Sequence, residues 1–368
     1  MLNTDSRPER GRRTHLRSRL TTCVAVSVLT VAGGLVASST PAFGTVGETA
    51  LSNTTTPTST VASSGGSVTP ATRPSQPVRL AGTDRFETAI ATSAKEFPTD
   101  DAASAVVLAR SDDYADALIG TTLATTKNAP LLFANGAVLT AATTTELQRV
   151  LAVGGTVYLL GGTTAIPTAI ATTLTTLGYV PVRYAGADRY GTALAVADAL
   201  DDPTTVVLAT GLNFPDALAA GPGAAHLHGI VLLTDGTSLT DGVQAYLTAH
   251  PGAVYAAGGP AAAADPAATP LVGADRYATA VALASALFTE PANVGVASGT
   301  GYPDALTGGA FQGHAKGPIL LSDPAALPAS TSTYLKSSNA TIVTTTLFGG
   351  TAALSTDVAT AIGTALGL

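Results

Sequence analysis

Tryptophan is absent from the 368-residue chain, cysteine and methionine occur once each, and aromatic residues make up only 5%. Carbohydrate grooves built on stacked indoles are therefore not expected. The interior falls to Ala, Thr, Val, Leu and Gly, which favours close layers of helix on sheet over a ring-lined cavity. Charge is also sparse, at 12% against 46% hydrophobic with a mean hydropathy of +0.34, so most of the chain can bury a core. The one thiol, Cys23, lies in an amino-terminal segment with the character of a cleaved leader. Its loss leaves no disulfide, no thiol nucleophile and no Cys-ligated zinc. Apart from residues 20–36, no apolar run approaches the ~20 residues of a membrane span.

Positive charge is scarce outside the first 44 residues, which hold six Arg against Asp5 and Glu9. With a total of −7, the remainder carries −11. A field of that sign repels phosphate at long range, so general nucleic-acid binding is excluded and any anion site must be local. Residues 1–44 read as a signal peptide: an Arg-rich start, the apolar run, and Ala42-Phe43-Gly44 with small groups where signal peptidase needs them. Arg12-Arg13 hints at twin-arginine export, although His15 stands where an apolar residue is usual, and the ordinary secretory route stays open beside it. Thr22 before Cys23 does not suit a lipoprotein signal, and no sortase-type motif ends the chain, so retention at a surface is expected to be non-covalent. Residues 45–78 contain nine Thr, six Ser and four Pro and read as a solvated tether.

Beyond the tether one unit is written three times. Arg79-Leu-Ala-Gly-Thr-Asp84-Arg85-Phe86 returns as Arg183-Tyr-Ala-Gly-Ala-Asp188-Arg189-Tyr190 and as Leu271-Val-Gly-Ala-Asp275-Arg276-Tyr277. Each copy continues with an apolar stretch and an aromatic-x-Asp-Ala-Leu turn: Tyr114 to Leu118, Phe214 to Leu218, Tyr302 to Leu306. An apolar triplet follows, read as Pro130-Leu131-Leu132, Val231-Leu232-Leu233 and Ile319-Leu320-Leu321, and a last apolar run ends in Gly161-Gly162, Gly258-Gly259 and Gly349-Gly350. Continuous apolar runs alternate with Ala-rich helical spacing, the pattern of parallel strands covered on both faces. Each copy thus reads helix, strand, helix, strand, helix, strand, helix: an α/β fold of three tandem three-layer modules with mostly parallel sheets, over 79–180, 181–268 and 269–368.

Asp84, Asp188 and Asp275 each follow a turn and precede a helix, the position of an N-cap, and Asp116, Asp216 and Asp304 read the same way. Arg85, Arg189 and Arg276 sit where a cation opposes the helix dipole, so something must hold them. Two readings stay open: a salt bridge to Asp116, Asp216 or Asp304, or recognition of phosphate or carboxylate by three related guanidinium groups. A second basic position, Lys127, His228 and Lys316, is either a helix-end cation or part of an anion-binding rim. Catalytic signatures are missing. His226, His228, His250 and His314 form no zinc-protease motif, no nucleophile elbow or nucleotide loop occurs, and a metal shared by His226 and His228 is a remote option.

These motifs resemble the type 2 cell-wall-binding repeat family of Gram-positive bacteria. The resemblance implies a pseudo-threefold trimer of modules within one monomeric chain, holding a secreted protein non-covalently to an anionic wall polymer, either teichoic-acid-like or polysaccharide. It also implies a polymer-contacting role for the family's Ile-Leu-Leu motif, intact at Ile319, Leu320 and Leu321. The expectation is a non-catalytic, secreted wall-binding protein without metal or cofactor. A wall-modifying hydrolase using the recurring carboxylates and a protein-binding surface adhesin are the alternatives.

Overall fold

A computed structural model describes residues 74–368 apart from 137, 201 and 202. The expected signal peptide 1–44, with Cys23, and nearly all of the expected tether 45–78 lie outside the described residues. Strand β1 (Val78–Leu80) opens the fold. Module one then runs α1 (Arg85–Glu96), β2 (Ala105–Arg110), α2 (Gly120–Thr126), β3 (Leu131–Ala134), α3 (Ala141–Val150), β4 (Thr156–Leu160), α4 (Thr168–Thr176) and β5 (Val180–Tyr184). Module two repeats it as α5 (Arg189–Ala197), β6 (Thr205–Thr210), α6 (Pro215–His226), β7 (Ile230–Thr234), α7 (Asp241–Ala249), β8 (Ala253–Ala257), α8 (Gly258–Ala264) and β9 (Thr269–Leu271). Module three has α9 (Arg276–Leu287), β10 (Asn293–Ser298), α10 (Pro303–His314), β11 (Ile319–Ser322), α11 (Ala329–Ser338), β12 (Thr344–Phe348) and α12 (Thr356–Ala365).

The strands form three four-stranded sheets with orders β3-β2-β4-β5, β7-β6-β8-β9 and β11-β10-β12-β1, every pairing parallel. Side chains alternate between faces along a strand, yet all six residues of β6 are buried, so both faces of its sheet are covered. This is the three-layer α/β architecture expected from the continuous apolar runs, with one addition. The repeat's opening Arg79-Leu80 and Arg183-Tyr184 are strand residues, and each such strand joins the preceding module's sheet. The first follows no module among the described residues and completes the sheet of the third: Val78, Arg79 and Leu80 pair with Thr346, Leu347 and Phe348. Strand β1 thereby closes the ring of modules. Arg79 secures this closure by donating from Nη1 to the carbonyls of Gly349 (2.7 Å) and Gly350 (3.1 Å).

Strand pairing also corrects the register of the apolar triplets. Leu131 faces Val107, Val231 faces Val207 and Ile319 faces Gly295 at equivalent places, so the first triplet is Leu131-Leu132-Phe133 and Pro130 stands before it. Two successive apolar residues at a strand start make a one-residue slip invisible to pattern alone. The same slip moves the second basic position: the left-handed residues that close the three central helices are Asn128 (φ 48°), His228 (φ 52°) and Lys316 (φ 53°), and Lys127 is not their equivalent.

Helices α2, α6 and α10 pack against one another along the pseudo-threefold axis. Small residues allow it. Gly221 and Gly309 both face Thr121, and a Cβ on Gly221 would stand 2.8 Å from that of Thr121. One apolar cluster, from Leu80 to Phe348, runs through all three modules, so they share a core. At the junction of modules three and one, His314 Nδ1 meets the carboxylate of Glu96, whose acidity burial weakens.

Replacing Arg79 by Gln removes two charge-assisted hydrogen bonds from the closure and should lower unfolding free energy by about 1.5–3 kcal/mol in a urea titration of the full chain. An unchanged midpoint would mean that strand pairing alone holds the ring. At the axis, Gly221→Ala should destabilise by roughly 1–3 kcal/mol through overpacking. A second change, Thr121→Gly, should recover part of that loss in a double-mutant cycle.

Candidate polymer-binding clefts

Each sheet has a switch point between its two central strands, because the chain leaves β2 toward β3 and then crosses back to β4. In open α/β sheets such crevices, at the carboxyl ends of the strands, are the usual ligand sites. In module one the crevice is bracketed by Asp116 and by the Gly161-Gly162 turn, and the Gly-x-Asp-Arg loop of module two forms its far wall. The cleft between modules one and two holds about 300 Å³ and is lined by Arg110, Asp116, Gly162, Asp188 and Arg189 among others. Its counterpart between modules two and three, with Asp216, Gly259, Asp275 and Arg276, holds about 560 Å³. At the junction of modules three and one the equivalent groups are Asp304, Gly349 and Arg85, with Thr88 hydrogen-bonded to Asp304.

Asp84 Oδ1 accepts the amides of Phe86 and Glu87 (both 2.9 Å), Asp188 Oδ1 that of Gly191 (2.8 Å) and Asp275 Oδ1 that of Ala278 (2.8 Å). These caps fix where each following Arg emerges. Arg85 Nη1 donates to the carbonyl of Ser111, Arg189 Nη1 to Gly211 (2.5 Å) and Arg276 Nη1 to Gly299 (2.7 Å), always the residue just beyond a central strand. Among the described residues none of the three has a carboxylate within ion-pair distance, so the salt-bridge reading gives way to a carbonyl anchor. A carbonyl occupies one corner of a guanidinium without neutralising it, and the carboxylates that act on these arginines, Asp216 on Arg276 and Asp304 and Asp112 on Arg85, lie beyond ion-pair distance. Apart from a 3.4 Å contact from Arg85 to the Tyr302 hydroxyl, the remaining N–H groups have no acceptor among the described residues.

Asp116, Asp216 and Asp304 are not caps. Helices α6 and α10 start at Pro215 and Pro303 after Phe214 and Tyr302, with no side-chain cap, and Asp216 and Asp304 occupy the second helical position. Asp116 lies in a turn ahead of α2. All three carboxylates lie against the first glycine of the Gly-Gly pairs, Gly161 (φ 97°), Gly258 (φ 81°) and Gly349 (φ 104°), where a Cβ would collide with Oδ2. Burial pushes Asp216 up to about 6 against the opposing pull of Arg276. Burial likewise raises Asp304, opposed by Thr88 and Arg85.

Two sets of groups stood among the sequence landmarks without being given a role. Tyr114, Phe214 and Tyr302, each two residues before the recurring Asp, form an aromatic triad across the axis with centroids 5.4, 5.7 and 5.9 Å apart. Arg85 lies over Tyr302 at 5.8 Å and Arg189 over Tyr114 at 5.5 Å, so each guanidinium touches the aromatic of another module. Arg183 is the second: it donates to Gly161 (2.6 Å), Gly162 (3.0 Å) and Ile166 (2.6 Å), as Arg79 clamps Gly349 and Gly350. Pro270 takes this place in module two, whose Gly258-Gly259 opens α8 instead of a turn.

The other residues expected at one site are scattered. Ile319, Leu320 and Leu321 are 1%, 0% and 0% exposed, so they build the sheet and offer no surface to a polymer. His228 and Lys316 lie at the amino ends of the strands, at the opposite end of the axis from the Arg clefts, and Lys127 is the C-cap of α2. Among the described residues there is no group of three metal-ligating side chains, and no helix is long and apolar enough to cross a membrane.

A ring of three α/β modules presenting clefts of one design on a single rim defines a repeat-built binding domain. The profile of Cell wall binding domain 2 (CWB2) matches residues 79–171, 183–267 and 271–359, and the chain belongs to that family. Over 288 residues it is 30% identical to N-acetylmuramoyl-L-alanine amidase LytC of Bacillus subtilis, a match covering 76% of this chain and 57% of the relative. It is 34% identical to the Amidase enhancer of the same organism over 164 residues, 44% of this chain and 22% of the relative. The chain thus spans little more than half of the first relative and under a quarter of the second. In structure it is similar to Cwp8 and Cwp6 from Clostridium difficile, with TM-scores of 0.72 and 0.71 at 24% identity, covering 80% and 79% of this chain and 52% and 48% of those chains.

Asp216 supplies a pH test. Its folded pKa lies above the ordinary carboxylate value, so between about 4 and 6 the native state holds a proton that the unfolded state has released. This group's contribution to stability therefore rises as pH falls through 6. Asp216→Asn, neutral throughout, should gain on the parent at pH 7 and lose that advantage progressively as pH falls from 6 toward 4. A stability gap that stays constant across this range would place Asp216 in water rather than in the cleft wall.

Proposed function

We propose that the protein is a secreted, non-catalytic anchor whose single chain, as a monomer, holds an anionic cell-wall polymer non-covalently in its three inter-module clefts. The observation that carries this reading is the set of Arg85, Arg189 and Arg276: capped into place, anchored through one corner to a carbonyl, and without an ion pair among the described residues. A guanidinium in that state suits phosphate or carboxylate oxygens of a teichoic-acid-like or polysaccharide chain. Three such sites on one rigid frame turn weak contacts into avidity along a repeating polymer. The −11 charge outside the leader opposes capture at long range, so binding relies on contact within the clefts and should weaken with salt.

Chemistry on the polymer is disfavoured by the use made of the carboxylates. The clefts do pair Asp116 with Asp188 and Asp216 with Asp275. A glycosidase needs both members of such a pair free to act. Here Asp188 and Asp275 are held by helix amides, and Asp116 and Asp216 are pressed against glycine backbone.

Purified wall sacculi should retain the full chain at low salt and release it as salt rises. Acid extraction of accessory polymers should abolish retention, and no sugar or peptide should be freed. Replacing all three arginines by Gln should cut retention by at least ~tenfold, with each single variant losing less. A triple variant that keeps its melting temperature and still binds fully would refute the cleft assignment, and binding indifferent to extraction would point to a different wall component.

A further inference from the structure

The far end of the axis holds a second cavity that the Arg clefts do not use. The carboxyl ends of α2, α6 and α10 converge there on about 450 Å³ lined by Thr125, Thr126, His226, His228 and Lys316, with small residues between them. No carboxylate lines it, in a chain whose charge beyond the leader is strongly negative.

Helix carboxyl ends ordinarily present free carbonyls, which repel anions. Here the last turns are closed on themselves. Gly229 N–H donates to Ala224 O (2.8 Å), Gly317 N–H to Gln312 O (3.0 Å) and Ala129 N–H to Ala124 O (2.9 Å), while His228 and Lys316 N–H reach Ala225 O (3.1 Å) and Gly313 O (3.3 Å). With these carbonyls engaged, side chains dominate the mouth. His228 and Lys316 occupy left-handed backbone, where Gly or Asn is cheaper and where module one has Asn128. Lys316 is exposed and has no ion-pair partner among the described residues. His226 is held by stacking on Phe288, centroids 4.8 Å apart and planes 28° apart, so its orientation is set before any ligand arrives. Depth comes from residues 225 and 313, where Ala and Gly stand in place of Thr125; a Cβ on Gly313 would strike the Thr125 hydroxyl. An ammonium and two imidazoles, all exposed at the mouth of a cavity lined by no carboxylate among the described residues, make a donor set for a compact oxyanion.

We propose that this axial cavity is a separate binding site for one phosphate-class group per chain, held by Lys316 and His228 with His226 as its fixed wall. The site is independent of the cleft reading: it faces the opposite end of the molecule and shares no residue with it. Its group could be supplied as free or monoester phosphate or as a phosphodiester within a polymer, and both present the same oxygens.

Calorimetric titration of the full chain with inorganic phosphate, and separately with glycerophosphoglycerol as a diester probe, tests it against chloride of matched ionic strength. One saturable site for either probe is expected. Lys316→Asn should weaken it by at least about tenfold, the loss of a charge-assisted contact, and the double variant with His228→Asn should abolish it. Asn already fills this backbone position in module one, so both variants should keep the parent's melting temperature. Arg276→Gln, at the other end, should leave the site intact. Diester binding lost in Lys316→Asn identifies the polymer backbone as the source; phosphate binding alone identifies a free or terminal group. Heats indistinguishable from chloride, or undiminished affinity in Lys316→Asn, would overturn the proposal.

Discussion

Close approach of α2, α6 and α10 is the constraint on which the rest of the molecule hangs. These helices meet through Thr121, Gly221 and Gly309, and that spacing leaves no room for a branched aliphatic side chain at the glycine positions. Dispersion between atoms falls off steeply with separation, so a frame packed this closely has few ways to relax and one relative setting for its modules. Above the helices the Tyr114, Phe214 and Tyr302 triad repeats the constraint with larger groups, and the Tyr302 hydroxyl ties module three to Ser111 of module one at 3.0 Å. Rigidity at the axis is what makes clefts at the periphery possible, because each is half one module and half the next.

The clefts share a design without being identical. Two of the three Gly-Gly pairs are gripped by an arginine of the closing strand, Arg79 or Arg183, and the third faces Pro270 instead. The cleft beside that pair holds about 560 Å³ against about 300 Å³ for the one between modules one and two, and in it Asp216 holds its proton to unusually high pH. Its wall carries less negative charge in mildly acidic surroundings than at neutrality, beside an arginine whose charge is constant. The walls of the clefts therefore change charge with acidity while their arginines do not.

Much of the architecture was legible in the sequence because hydrophobic periodicity and triplication report it directly. The parallel sheets followed from apolar runs such as Val106 to Ala109, which no half-exposed strand would carry. What escaped was short or contextual. Strand β1 has three residues, one of them charged, and nothing local says that Arg79 belongs to a sheet more than 260 residues downstream. The slip at Pro130 arose because Pro and Leu are both apolar, and it carried Lys127 into a position that belongs to Asn128. For the site, the capping aspartates were visible as turn chemistry, while the partner of Arg85 was not: a backbone carbonyl leaves no trace in side-chain spacing. The Ile319-Leu320-Leu321 run was legible as an apolar strand, and its complete burial makes it frame rather than contact.

Closure of the ring by the first strand has a mechanical side. The Thr-, Ser- and Pro-rich stretch leads straight into Ser75, whose amide reaches Val343 at 3.0 Å, and then into β1 alongside β12. Tension drawn lengthwise through that stretch meets the ladder in shear, with its hydrogen bonds and the Arg79 clamp resisting together instead of peeling one by one. The load enters module three while the next residues of the chain belong to module one, so a pull on the leash bears on the seam between first and last modules and spreads around the whole ring.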